Sequence, residues 1–318
     1  MLTTSVDQFN GIFDSVNLPY DEGQKFITLY SGGKGSFLTA CLLKAKGFEQ
    51  ELYFNDTCYE HNSLYVFLDQ TLAFFHEKPP CGVYKNIPSL SKWQERREFL
   101  INAGVQMTNY YEHFVYESAG MSLHETILKR KFMPNSRVDI CSQILKREMS
   151  SKYVSGFNPN NVMVAIGIGI WEEHRVERAK PHWLPYKIVS PFCDSGEFES
   201  EYKDAIFKLV NIPEPYLYTI GMAHNNCAGF CVKAGLKHYR QLLQSDRELY
   251  IIHENNEEEL YRLSPNMRPF LKKTIKGVKY YITLKQFREN IELGKPLVYV
   301  GEELNELDED YGACACAI

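Results

Sequence analysis

The 318-residue chain is long enough for one large domain, or one with a smaller addition, and its 44% apolar and 14% aromatic content supports a buried core. A net charge of −5 excludes a surface built for indiscriminate binding to phosphate backbones, though not a local basic patch. Residues 1–10 carry no basic, apolar leader pattern, and the longest apolar run, residues 162–171, is too short for a bilayer, so a cytoplasmic protein without membrane association is expected.

Residues 1–24 read as a short helix and a polar lead-in. Residues 26–30 (Phe-Ile-Thr-Leu-Tyr) form an apolar, β-prone run that ends in Ser31-Gly32-Gly33-Lys34-Gly35-Ser36, and a helical pattern follows to about Lys46, with Gly47 as its cap. A strand feeding a glycine loop that opens a helix is a means of holding an anion. Glycines let backbone N–H groups approach, the helix start adds partial positive charge, and Ser31, Ser36 and Lys34 add hydroxyls and a cation. The loop is not a Walker A motif, since Thr28 and Gly35 stand where that motif requires glycine and a hydroxyl residue. The plain alternative is a strand–helix turn that binds nothing.

Residues 51–55 read as a second strand, so the intervening helix makes a βαβ unit and a parallel sheet. Asp56 then stands at the carboxyl edge where such sheets bind ligands, with helix-capping as its alternative role before a helix over 62–75. Residues 79–120 are less regular, with a helical stretch over 93–101, and are expected to shape an acceptor pocket; His113 and His124 read as structural or surface histidines. Arg137 and Lys146 suit an anion clamp, and Cys141 reads as a small buried hydrophobe. Residues 161–170 form a near-continuous apolar run, hence a buried parallel strand, ending at Gly167 and Gly169 before a charged stretch that includes Arg175 and Arg178. Residues 185–192 read as a final strand and 200–210 as a helix.

Of nine cysteines, five are scattered and four fall in two close pairs, Cys227 with Cys231 and Cys314 with Cys316. Four thiolates suit zinc first and an iron–sulfur cluster second, with His224 as a substitute ligand. Between the pairs, Arg268, Lys272, Lys273, Lys276 and Lys279 run into Tyr280 and Tyr281, a basic and aromatic mixture that suits nucleic acid or, equally, a solvated face. Residues 302–310 are acidic and read as a solvated linker.

The 31–36 loop resembles the pyrophosphate loop, Ser-Gly-Gly-x-x-Ser, of the ATP-pyrophosphatase (PP-loop) superfamily, whose members usually carry aspartate where this chain has Gly35. Asp56-Thr57-Cys58-Tyr59-Glu60 resembles the Asp-Thr-Gly-Tyr-Glu stretch of phosphoadenosine phosphosulfate reductases, and residues 134–146 resemble their Pro-x-x-Arg…Cys-Thr-x-x-Leu-Lys segment. Residues 167–178 are similar to their Gly-x-Arg…Glu-Ser…Arg segment, with Gly169 in place of the arginine. The stretch from His224 to Gly235, with the Cys-x-Cys tail, looks like a bacterial and phage subgroup of that reductase-like family. The likeness spans about residues 24–245.

The resemblance implies an α/β, doubly wound parallel sheet (adenine nucleotide alpha hydrolase-like) with a small Cys-rich C-terminal subdomain. The lead-in would be 1–24, the nucleotide-binding domain 25–210 and the metal-binding subdomain 211–318. It implies ATP and magnesium as ligands, with Ser31, Gly32, Gly33 and Gly35 around the β,γ-phosphates, Gly167 under the adenosine and Arg175 supplying charge. Lys34, Ser36, Asp56 and Arg137 would be catalytic, and Cys227, Cys231, Cys314 and Cys316 would hold the metal. The implied reaction is adenylation of an acceptor, with nucleic acid or a modified base as the acceptor; a homodimer is compatible. One alternative is a sulfonucleotide reductase, although the Glu-Cys-Gly-x-His nucleophile of those enzymes is absent from this C-terminus. The other is a non-catalytic nucleotide-binding sensor in phage–host conflict, which Gly35 favours.

Overall fold

Five strands, β1 (Lys25–Leu29), β2 (Glu49–Asp56), β3 (Phe114–Ser118), β4 (Val162–Ile166) and β5 (Lys187–Val189), pair in the order β3-β2-β1-β4-β5, all parallel. The computed structural model describes residues 6–134, 138, 140–276 and 278–295; Arg137, Cys314 and Cys316 lie outside them.

Alternation along the strands explains why both sheet faces are covered. Leu52 and Phe54 enter one core with Phe37, Phe67, Leu100 and Phe207, whereas Tyr53 between them enters the opposite core with Val164, Ile166, Val176 and Trp183. Helices Lys34–Ala45, Asn62–His76, Trp93–Tyr110 and Glu199–Val210 contribute to the first layer, and Glu148–Val154 and Glu173–Trp183 to the second. The fold is therefore a doubly wound α/β sheet.

The chain winds outward from β1 through β2 to β3, then crosses back to β4 beside β1. That reversal creates a crevice at the carboxyl ends of β1 and β4, the place where open parallel sheets bind ligands.

Beyond the sheet, helices Leu236–Ser245, Arg247–Leu263 and Leu284–Glu292 and the antiparallel hairpin β6 (Leu271–Ile275) and β7 (Val278–Ile282) complete the described chain. They do not bury a core of their own. Phe230, Tyr239, Tyr250 and Leu284 share one cluster with Tyr59, Trp93, Ile127 and Leu145 from the sheet-bearing part. The region after residue 210 is thus joined to residues 59–145 by a continuous apolar interior. Among the described residues no helix is long and apolar enough to cross a membrane.

Candidate functional site

The loop after β1 is shaped by glycines. Gly32 has φ +70, in the left-handed region that favours glycine, and a Cβ there would lie 2.8 Å from Leu64. Gly33 is the N-cap of helix Lys34–Ala45, with no side chain capping that helix. The Ser36 hydroxyl donates to the Gly33 carbonyl at 3.0 Å and lies 3.2 Å from the Ser31 hydroxyl, so the two predicted serines close the loop from both ends.

Gly35 and Gly167 meet across the crevice. A Cβ at position 35 would sit 2.7 Å from the Gly167 carbonyl oxygen, and one at 167 would sit 2.3 Å from the Ser36 nitrogen. The loop and the end of β4 are therefore in direct backbone contact, which is the steric reason this chain carries glycine at 35. Gly167, expected under an adenosine, has its bare face against the chain's own loop. Ser190, at the end of β5, secures the same edge by donating to the Ile168 carbonyl.

Lys34 points to a segment that sequence reasoning missed. Its ammonium is 3.1 Å from Glu214 and 4.1 Å from the centroid of the Tyr218 ring, and Lys203 approaches the same carboxylate at 3.6 Å. The Tyr218 hydroxyl would lie 3.1 Å from a Cβ on Gly33, so this segment covers the loop. It is anchored at Tyr216, whose N–H donates to the Ser63 hydroxyl and whose ring stacks on His61. Burial pushes the His61 pKa down to about 4, so this platform is neutral above that pH. The available signal was Pro213-Glu214-Pro215-Tyr216, where two prolines fix the backbone around an acid.

Asp56 lies at the expected strand end but is fully buried. One oxygen accepts from the Cys58 N–H and the Tyr65 hydroxyl, both at 2.8 Å, and the other from the Tyr116 hydroxyl at 2.9 Å. Burial raises its pKa to about 6, against the lowering effect of those hydrogen bonds. Its carboxylate organises the turn after β2 rather than facing the loop. His61, not Asp56, caps helix Asn62–His76.

Glu60, four residues on, joins distant segments. It is 3% exposed and accepts from the Thr57 hydroxyl, from Lys146 at 3.5 Å and from the Cys227 N–H. Its carbonyl accepts from the buried Arg96 at 2.6 Å. Lys146, expected in an anion clamp, is paired here; its companion Arg137 is outside the described residues.

Cys227 and Cys231 are both buried within one tight turn, in which Cys227 and Ala228 adopt successive positive φ values of 51°. No cluster of three or more potential metal ligands occurs among the described residues. Of the four expected thiols, Cys227 and Cys231 are buried four residues apart, and the other two lie outside the described residues. His124 is buried between Trp93, Tyr59 and Phe230, and burial holds its pKa down to about 3, so it stays neutral as a core residue. Arg175 pairs with Glu172 at 2.5 Å.

A cavity of about 600 Å³ lies at the opposite edge, between Lys25, Glu49, His113 and Asn161, at the amino ends of the strands. It shares no residue with the loop, and parallel sheets bind ligands at the other edge. No protein-family model matches the chain, and no curated protein matches it.

Proposed function

We propose that the chain is an ATP-pyrophosphatase-type enzyme of the PP-loop kind. The observation that carries this reading is the Ser31–Ser36 loop standing against Gly167 where the sheet's strand order reverses. ATP would place its β,γ-phosphates on the loop amides and on the Ser31 and Ser36 hydroxyls, with Lys34 exchanging Glu214 for phosphate oxygens. Magnesium would be held through phosphate oxygens and water, since Gly35 offers no carboxylate and Asp56 is occupied with its own turn. An acceptor oxygen would attack the α-phosphorus and pyrophosphate would leave, stabilised by Lys34 and the helix start. The chain's contribution is positioning and charge neutralisation. Arg137 keeps its expected role at an acidic group of the substrate, and Arg175 its role near the nucleotide.

A metal on Cys227, Cys231, Cys314 and Cys316 belongs to the same proposal as a structural element. The buried pair supplies two donors of the kind zinc or an iron–sulfur cluster takes, and no step of the reaction needs it.

Titration of the full chain with Mg-ATP tests the reading. Lys34→Ala should weaken ATP binding by about 10–100-fold, the range for losing a charged hydrogen bond, while the melting temperature stays near that of the parent. Unchanged ATP affinity counts against the loop. A second reading, a sulfonucleotide reductase, draws on one contact. Glu60 and Lys146, from the two reductase-like segments, pair in space. Thiol-dependent release of sulfite from a sulfonucleotide would reverse the ranking.

A further inference from the structure

We infer that the groove between residues 131–134 with Val138 and the β6–β7 hairpin binds single-stranded nucleic acid. The groove measures about 510 Å³ and no described residue lining it is acidic. Four cations do line it: Lys131, Arg268, Lys272 and Lys279. None of the four forms an ion pair among the described residues, although the chain as a whole is acidic with a net charge of −5. Gathering unpaired like charges around one concavity is unfavourable in the folded chain by itself and favourable when a polyanion enters.

The strand register explains how the hairpin builds this wall. Leu271 pairs with Ile282, and both are buried in the shared core. The next pair, Lys272 with Tyr281, faces the other way, and so does Lys279 opposite Thr274. One hairpin face therefore presents two lysines and a tyrosine to the groove.

The apolar part of the lining has the form a base would use. Tyr281 is 42% exposed and Phe132, on the opposite wall, 38% exposed; Val138 beside it is 47% exposed. Exposed aromatic rings among unpaired cations supply stacking surface and phosphate contacts together, the two components of sequence-tolerant single-strand binding. An acidic protein segment would use the cations and leave the rings without a role. The surface is independent of the nucleotide reading, since it contains no residue of the 31–36 loop.

Fluorescence anisotropy of the full chain with labelled oligonucleotides of about 12 bases, as RNA and as DNA of the same sequence, tests the proposal. Binding of either is expected, and the stronger arm identifies the natural sugar. The double variant Lys272→Gln, Lys279→Gln should lower the salt dependence of log K by about 1.4, or about 0.7 for each phosphate no longer neutralised. Tyr281→Ala should weaken binding about tenfold and leave the salt dependence unchanged. All three positions lie on the face turned away from the core, and melting temperatures near that of the parent confirm the fold. The proposal is overturned by a full chain that binds neither oligonucleotide, by binding that both variants leave intact, or by poly-glutamate binding as tightly as the oligonucleotides.

Discussion

The β1–β4 crevice and the cysteine turn are built on opposite principles. At the crevice the backbone itself is the structure. Gly35 and Gly167 allow two main chains to touch, Gly32 takes a left-handed conformation, and side chains enter as hydroxyl clasps and as the Lys34–Glu214 pair under Tyr218. At the cysteine turn two non-glycine residues adopt positive φ, and a carboxylate from 167 positions away holds the Cys227 amide. Strain of roughly 1–2 kcal/mol per left-handed residue is tolerated there because core contacts over-determine the turn. Both contacts are long-range, but the glycines of the crevice are visible as local signals in the sequence, whereas the carboxylate anchor of the cysteine turn is not.

The largest expected effect strikes the anchor beside the crevice. Asp56→Ala leaves the Cys58 N–H and two buried tyrosine hydroxyls without their acceptor, at a cost of about 4 kcal/mol in unfolding free energy, measurable by urea denaturation. The same variant changes the pH profile. With its folded pKa raised to about 6 from 3.8, Asp56 binds its proton more tightly in the native state. Its stabilising contribution is complete below about pH 4 and is lost as pH rises through 6. The wild type's margin over the variant should therefore shrink across that window. Glu257, raised to about 7 by burial, adds a slope of the same sign to both proteins, and His61, His124 and His253, held low by burial, add slopes of the opposite sign to both, so the difference between the two curves isolates Asp56.

Gly167→Ala comes next. Its methyl group would stand 2.3 Å from the Ser36 nitrogen, and a backbone cannot move aside as a flexible side chain would. A loss of about 3 kcal/mol is expected, with ATP binding weakened because the loop is displaced. The cysteine turn should be untouched, so labelling rates of Cys227 and Cys231 by a thiol reagent should match the parent's. Glu60→Ala reverses that pattern. It removes the acceptor of the Cys227 N–H and the partner of Lys146, costing about 2 kcal/mol. Thiol labelling at Cys227 and Cys231 should accelerate, while ATP binding changes little. If both variants moved both readouts equally, the crevice and the turn would be one cooperative unit and the difference in their construction would have no energetic meaning.

What the sequence revealed follows the same division. The strands β1, β2 and β4, the loop and the parallel topology were legible because apolar runs and glycines are local signals; the observed β1 and β2 differ from expectation only at their ends. β3 was not legible, since Phe114–Ser118 alternates weakly and follows an aromatic, polar stretch. Nor was the union of the C-terminal region with residues 59–145 in one core, because Tyr59 and His253 meet across 194 residues with no pattern joining them. Ser31, Gly32, Gly33 and Ser36 lie in the turn between β1 and the helix after it, whereas Gly167, expected under an adenosine, packs against that turn. Asp56 was placed correctly in the fold, but its burial depends on Tyr65 and Tyr116, whose approach no spacing rule encodes. Glu214 and Tyr218 were missed for the same reason: they reach Lys34 from about 180 residues downstream.

That last contact supplies the smallest and most discriminating prediction. Glu214 gives Lys34 a carboxylate at 3.1 Å, and in the proposed reaction the same ammonium must bind phosphate. The two anions compete for one cation. Both partners are about one-quarter exposed, so the pair is screened and its strength lies in the range of about 0.5–1 kcal/mol. Glu214→Gln should release Lys34 and remove a negative charge from the mouth of the loop, raising Mg-ATP affinity about two- to fivefold while leaving the melting temperature almost unchanged. A double-mutant cycle with Lys34→Ala locates the effect: in a chain already lacking the lysine, the gain from Glu214→Gln should shrink to the residual effect of the lost negative charge. A gain of the same size with and without Lys34 would mean that Glu214 acts only through the general field, and the lysine would then have no special claim on the phosphate.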